Sequence, residues 1–533
     1  MNRNNLLRII RFLSFIILLF LIAFFSNRVA PYNMDEFCHY HPIISRHYKY
    51  NVLNTFRENC RSYDLNLLNT GLILPLRAFA YEGSSSSLYY YPLFLIWKDP
   101  RSARFFGLLF LLVQSLLLAR IFNLRYEYIL LFLLCFFPYF FQHLVDTGPI
   151  NFTTTSIFLL YWLMIKWITN WKLKYPLIMA VTIFLGIWAK LTYFWLLPGI
   201  GILFLTLLLG GGKLPSRSDC KKIGLQMLSS VFLLIALLSF IFLSTSPYDS
   251  SSFPYIEQIT DSKWLSIQQL FQINIIKERG VWKALFNPFE ATQRIFVVKA
   301  PNLMTKLYVG FILLSVPVCL LALRINRFEK IKPSLIYFAG AVTFVITLLI
   351  QRAWAMHHTV LSFPFLILSI LSTIDLLRKY HPKKFPIIVS ASFIVFAVLN
   401  SYFFINFPKQ QIRAHDDWSK MKIHKILQDQ QLAKDYFYVV VDWGMYYYQG
   451  LYGPDSQSVL YMEPLNSQSQ IDALKGLSRK YNRKLLFIYR NDRSNSNLSL
   501  IRKFFHLKEY GTTSKNQIWR IMLEDSDRRS DNV

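Results

Sequence analysis

Glycine is scarce in this chain, and acidic charge is far outnumbered by basic charge. The 533 residues include 19 glycines, and neither G-x-x-x-x-G-K-S/T nor G-x-G-x-x-G occurs among them. The two glycine-rich backbone loops that commonly cradle nucleotide phosphates are therefore absent. Five cysteines, at 38, 60, 135, 220 and 319, form no metal-ligand spacing. Asp and Glu number 30 against 58 Lys and Arg, a formal charge of +28. Such an excess can mark a nucleic-acid partner. Here, however, the basic residues sit in short loops between apolar runs, as cytoplasmic loops of membrane proteins do. No nucleic acid is expected. No internal repeat and no Gly- or Pro-rich linker is visible.

What the chain has in abundance is hydrocarbon. It is 54% hydrophobic and 17% aromatic, with 47 Phe, and its mean hydropathy is +0.32. The apolar residues come in runs long enough to cross a core about 30 Å thick at 1.5 Å per residue. The expected architecture is a polytopic α-helical membrane protein with about eleven transmembrane helices and a C-terminal soluble α/β domain. The spans fall at 7–25, 104–122, 128–143, 150–169, 175–189, 191–209, 222–245, 305–323, 334–350, 356–377 and 385–406. The pair 175–189 and 191–209 also reads as one kinked hairpin. The first run is long for a signal peptide and no A-x-A site follows, so it reads as an uncleaved helix. Cys135 and Cys319 lie in spans and read as small apolar residues. Cys38 and Cys60 share one loop and suit a disulfide if that loop faces an oxidising compartment.

Orientation follows from the basic residues. Alternate short loops hold Arg125, then Lys166, Lys172 and Lys174, then Lys213, Arg217, Lys221 and Lys222. Arg324, Arg327, Lys330 and Lys332 follow, then Arg378, Lys379, Lys383 and Lys384. The opposite short loops hold Lys190, Arg352 and little else of that sign. The positive-inside bias places the N-terminus in the cytoplasm and the C-terminus outside a cytoplasmic membrane. Residues 1–406 form the membrane domain, with outer loops at about 26–103 and 246–304, and 407–533 the external domain. Within the first loop, Leu72–Trp97 reads as amphipathic helices lying in the interface. In the tail, 436–441, 458–461, 484–489 and 517–521 read as strands, and 416–431 and 467–481 as helices. The last residues, 525–533, are polar and expected to be disordered.

On that topology the unusual polar residues gather on the outer side. Asp35, Glu36 and His39 follow the first span, and Asp146 sits in the turn before the fourth. Lys190 ends the fifth span, and Arg352, His357 and His358 open the tenth. Each has a plain reading as well: Asp146 before Thr147-Gly148-Pro149 suits a turn former. Lys190 and Arg352 suit cations snorkelling to headgroups. Together, acids and bases at one depth suit inverting glycosyl transfer from a lipid phosphate. A carboxylate takes the acceptor proton while the sugar carbon develops oxocarbenium character. Lys, Arg and His donors then stabilise the departing phosphate.

The residues Met34-Asp35-Glu36 with His39, Asp146, the stretch Gly186–Trp195 and His357-His358 through Phe365 resemble the GT-C superfamily of integral membrane glycosyltransferases. The likeness is to bacterial family 39-like proteins, related to protein O-mannosyltransferases and lipid A aminoarabinose transferases. Asp442-Trp443-Gly444 resembles a tail motif of the same group. The resemblance implies a polyprenyl-phosphate sugar donor, Asp35 as the base, Glu36 its neighbour and Asp146 a second acid. Arg352, His357, His358 and Lys190 would face the phosphate. Asp442 and Trp443, before Tyr446-Tyr447-Tyr448, suit sugar stacking and equally suit a strand-to-turn core. Some branches hold a divalent metal such as Mg or Mn through such acids and others do not. Asp35, Glu36 and Asp146 would be its ligands here. Whether the transferred sugar is a hexose or a pentose, and the acceptor, are not legible.

Two rival functions fit a chain of this kind. A flippase for lipid-linked glycans would place polar groups near the bilayer midplane and often shows inverted repeats. An O-antigen polymerase or ligase would rely on arginines in a late outer loop. Span centres nearly free of charge and the lack of a visible repeat disfavour the first, and the acidic pair after the first span disfavours the second.

Overall fold

Apolar runs become helices almost where hydropathy places them. The computed structural model of the protein describes residues 3–29, 63–66, 73–77, 85–96, 104–136, 143, 149–210, 217–245, 302–322, 327–349, 360–392, 394–395, 398–399, 430–441, 459–461, 468–490, 501–510 and 519–524. They divide into two units, one helical up to 399 and one α/β from 430 onward. The helical unit begins with α1 (Arg3–Val29), β1 (Tyr63–Asn66), β2 (Ile73–Arg77), α2 (Ser85–Ile96), α3 (Arg104–Phe122) and α4 (Tyr126–Cys135). It continues with α5 (Ile150–Asn170), α6 (Lys174–Ala189), α7 (Leu197–Gly210), α8 (Arg217–Thr245), α9 (Asn302–Ala322), α10 (Arg327–Leu349) and α11 (Phe363–Tyr380). Residues 385–392 are helical as well.

Among the described residues, six stretches are long and apolar enough to cross a membrane. Their surfaces agree with that solvent. Only 11% of the apolar window of α8 is buried, and Leu228 and Phe232 on it are 66% and 73% exposed. A helix apolar all round and bare on most sides is at home in hydrocarbon, not in water. The window ending α11 is 78% buried, so this helix runs through the middle of the unit. A proline inside α9 shows how the backbone copes without water. Pro317 has no N–H for the carbonyl of Leu313, four residues earlier. The Tyr337 hydroxyl of α10 donates to that carbonyl instead, at 3.0 Å.

Cross-helix contacts alternate between two ends. At one end Arg378 of α11 donates to the carbonyls of Asn123 and Phe122 at the close of α3. There too Trp167 Nε1 of α5 donates to Gln226 Oε1 of α8 at 2.7 Å. This is the end of Arg125, Lys172, Lys174, Lys221, Lys222, Lys383 and Lys384. At the other end the start of α3 meets residue 143, and the close of α6 meets the start of α5. The charge asymmetry read from the loops is thus a property of the folded bundle.

One expectation is corrected. Leu72–Trp97 is not helical throughout. Ile73–Arg77 pairs antiparallel with Tyr63–Asn66, and a single helix, α2, follows. Helical reading failed because a partner strand nearby in sequence satisfies the backbone of Ile73–Arg77, and Pro75 lacks a helical N–H. Helix α2 lies against α3, with Tyr89 edge-on to Phe110 and Tyr90 edge-on to Phe106 at ring separations of 5.6 and 5.3 Å.

The α/β unit holds α12 (Gln430–Asp435), β3 (Tyr436–Val440), β4 (Val459–Tyr461), α13 (Gln468–Tyr481), β5 (Lys484–Arg490), β6 (Leu507–Glu509) and β7 (Trp519–Glu524). Strand order is β4-β3-β5-β7-β6, parallel across β4-β3-β5 and antiparallel beyond. Alternation drives it: Phe437, Val439 and Val441 point to one core with Leu485, Phe487, Ile471 and Leu474. All four expected strands and the 467–481 helix form. The helix expected over 416–431 lies outside the described residues except at its end, where α12 begins, and 525–533 also lies outside them.

Candidate active site

Of the ten residues singled out from the sequence, Lys190 is the one the described structure places. Asp35, Glu36, His39, Asp146, Arg352, His357, His358, Asp442 and Trp443 lie outside the described residues, as do Cys38 and Cys60. Lys190 closes α6 in extended conformation, at φ −156° and ψ 128°. Its N–H donates to Gly186 O at 3.0 Å, and its carbonyl accepts from Tyr193 N at 2.9 Å. A 3₁₀ turn, Leu191–Leu196, then leads into α7. One extended residue and one tight turn thus make the kinked hairpin.

Lys190 is 7% exposed, which excludes the snorkelling reading, since a side chain reaching to headgroups is open at its tip. An ammonium inside protein is tolerated only with anionic or hydrogen-bonding company. The turn that carries it is clamped. The Tyr193 ring lies flat on α6 at Gly186, where a Cβ would come within 2.3 Å of Tyr193 Cε2. The Tyr193 hydroxyl shares a 2.8 Å hydrogen bond with Ser156 Oγ of α5, and Tyr193 is fully buried. Tyr193→Phe is expected to lower stability by about 1 kcal/mol, the net worth of one buried hydrogen bond. Thermal unfolding of the detergent-solubilised protein measures it.

Beside this clamp lies a polar cluster that sequence reasoning passed over. His143, fully buried, has its Nε2 2.9 Å from Gln114 Nε2 of α3 and 3.0 Å from Thr154 Oγ1 of α5. His143 Nε2 thus meets one amide nitrogen and one hydroxyl at hydrogen-bond distance, with the direction of each bond set by the tautomer of the ring. Gln114 Nε2 also donates to Thr155 Oγ1 at 2.7 Å, and Asn151 Nδ2 to His143 O at 3.3 Å. The run Thr153-Thr154-Thr155-Ser156 satisfies its hydroxyls on carbonyls three or four residues back in α5. The signal was present in the sequence: a histidine and a Thr/Ser run at the mouth of apolar spans, flanking Asp146. Gly107 makes the close approach of α3 possible, because a Cβ there would fall 1.7 Å from His143 O. Gly107→Ala is expected to destabilise the fold by about 1–3 kcal/mol, the usual cost of overpacking. The same melting measurement reads it.

The start of α11 reaches the same end. Gly199 of α7 faces Thr343 of α10 and Phe365 of α11, and Gly340 of α10 faces Phe365. Val360, two residues after His358, is buried there with Leu361. Among the described residues no group of three His, Cys, Asp or Glu could hold a metal ion. The acids that would hold one, Asp35, Glu36 and Asp146, are outside them.

No family model and no curated protein sequence matches the chain. Solved structures do. ArnT from Cupriavidus metallidurans, bound to undecaprenyl phosphate, aligns over 97% of this chain and 98% of its own, at 10% identity and a TM-score of 0.55. The oligosaccharyltransferase of Archaeoglobus fulgidus, in complex with Zn and sulfate, aligns over 91% of this chain and 69% of its own, at 12% identity and a TM-score of 0.45. At such identity the likeness to ArnT is one of fold, and it is the GT-C-like fold that the sequence resembles.

Proposed function

We propose that the chain is a membrane glycosyltransferase that moves a sugar from a polyprenyl-phosphate donor to an acceptor at the outer face of the cytoplasmic membrane. The observation that carries this reading is the buried Lys190, built into the end of the bundle remote from the basic loops. It stands on a fold shared with a protein that binds undecaprenyl phosphate. A cation inside that end suits a phosphate arriving from the membrane, because burial strengthens every charge-assisted hydrogen bond it makes.

The other candidates fit the same end by their place in the chain. Asp146 is three residues from His143 and three from Pro149, and His357 and His358 shortly precede Val360. In the proposed reaction the Asp35 carboxylate takes the proton of the acceptor hydroxyl. The acceptor oxygen then bonds to the anomeric carbon from the face opposite the phosphate. The bond from that carbon to the phosphate oxygen breaks, its electron pair leaves with the polyprenyl phosphate, and the configuration inverts. Lys190, Arg352, His357 and His358 stabilise the charge that grows on the leaving oxygen. Glu36 and Asp146 assist, either on the acceptor or as ligands of a divalent metal. Residues 1–406 carry this chemistry. The sugar and acceptor are named by comparing the surface glycans of a deletion strain with its parent. The reaction itself is tested by reconstitution with polyprenyl-phosphate sugars. Formation of glycosylated acceptor supports it, and binding without transfer by any such donor refutes it.

A further inference from the structure

An apolar cavity of about 1340 Å³ opens between α4, α9, α11 and the helical residues 385–394, reaching from the end that carries the basic loops past the middle of α9. It exceeds the roughly 300–1,000 Å³ of sites for drug-sized ligands. Its walls are hydrocarbon, with Phe132, Leu314, Val318, Ile374 and Ile388 among them. Its lining runs along α9 from Leu307 to Cys319. At 1.5 Å per residue that is about 18 Å, somewhat more than half of a hydrocarbon core about 30 Å thick. Gly310 lines the cavity, and a Cβ there would meet nothing within 4 Å.

One end of the cavity is charged. Arg125 and Arg378 line it, and Arg125 is exposed. Asn123, in left-handed conformation at φ 49°, turns the chain between α3 and α4 and so sets Arg125 at the mouth. Arg378 donates to the carbonyls of Phe122 and Asn123 and pairs with Asp375 at 2.8 Å. Lys383 and Lys384, both exposed, precede Phe385 on the opposite lip, and Lys332 lies within electrostatic range of Asp375. Among the described side chains the acids near this mouth are Asp375 and the buried Glu127, so positive charge prevails there.

We propose that this groove is a binding site for a two-chain anionic phospholipid of the leaflet at the basic end. Its length is that of acyl chains in one leaflet, whereas a polyprenyl chain is long enough to overrun it. Its basic mouth favours an anionic over a zwitterionic headgroup, as basic pockets between transmembrane helices do. The site is separate from the Lys190 end and does not depend on the proposed transfer reaction.

The test uses the full chain in neutral detergent, titrated with dioleoylphosphatidylglycerol or dioleoylphosphatidylcholine and followed by native mass spectrometry and thermal shift. Phosphatidylglycerol is expected to bind more tightly than phosphatidylcholine. Arg125→Gln should weaken phosphatidylglycerol about fivefold, the share of one basic side chain near an anionic headgroup, and leave phosphatidylcholine unchanged. Gly310→Phe should remove the binding of both by filling the groove. Should that variant not stay monodisperse, Leu314→Trp, at a 59% exposed lining position, serves the same purpose. Equal affinity for the two lipids, or unchanged binding in the groove-filling variant, would overturn the proposal. So would displacement of phosphatidylglycerol by undecaprenyl phosphate at one-to-one stoichiometry.

Discussion

Asp35→Asn is expected to cut sugar transfer by about 10²–10⁴, the typical worth of a positioned general base. The amide keeps the shape and one acceptor oxygen of the carboxylate but does not take the acceptor's proton at neutral pH. The loss should therefore fall on kcat, with KM for the lipid-linked donor and the melting temperature nearly unchanged. Purified protein in liposomes with a polyprenyl-phosphate sugar and a soluble or lipid acceptor supplies both constants. Undiminished turnover would remove Asp35 from the role of base. Recovery of the variant by a large excess of Mg²⁺ or Mn²⁺ would move it from proton acceptor to metal ligand, with Glu36 and Asp146 as its companions.

Lys190→Met should come second in size, at about 10²–10³ in transfer, the range seen when one donor to a developing oxyanion is lost. Met keeps the unbranched apolar stem, so the packing inside the hairpin is largely retained, while the charge disappears. A buried cation contributes little net stability once its desolvation is counted, yet removing one partner of a buried pair is costly. Melting temperature and activity must therefore be read together. If Lys190 holds the donor phosphate, binding of polyprenyl phosphate falls along with transfer per folded molecule, and Lys190→Arg recovers part of each. If it is a structural cation alone, the folded fraction drops while the remainder transfers as the wild type does. The Tyr193→Phe variant separates the cases further, because it loosens the turn without touching the charge.

Much of the architecture was legible because its signals are local. Arg104–Phe122 coincides with the apolar run read there, and Ile150–Asn170, Lys174–Ala189 and Asn302–Ala322 depart from theirs by a few residues at most. Hydropathy over about 20 residues is a statement about solvent, and no distant contact overrules it. The tail strands were legible for the same reason, since alternation at 436–441 and 484–489 reports a two-faced element directly. The segment 72–97 was misread because its apolar residues are interrupted, and the strand that pairs with it, Tyr63–Asn66, lies outside the segment. His143 was passed over because a lone histidine beside an apolar run is usually an ordinary buried residue. Its weight came only with Gln114, 29 positions earlier, and with Thr154.

By itself the chain's order of residues determined where apolar stretches seek hydrocarbon, which loops are basic, and where the tail turns to strands. Composition and short-range periodicity suffice for each. Only the tertiary structure decided that Lys190 is enclosed by protein, that Tyr193 clamps its turn to Ser156, and that Gly107 admits the carbonyl of His143. Those outcomes depend on which helices touch at one depth. Contact between residues far apart in sequence is set by the packing of whole faces, which no single stretch encodes.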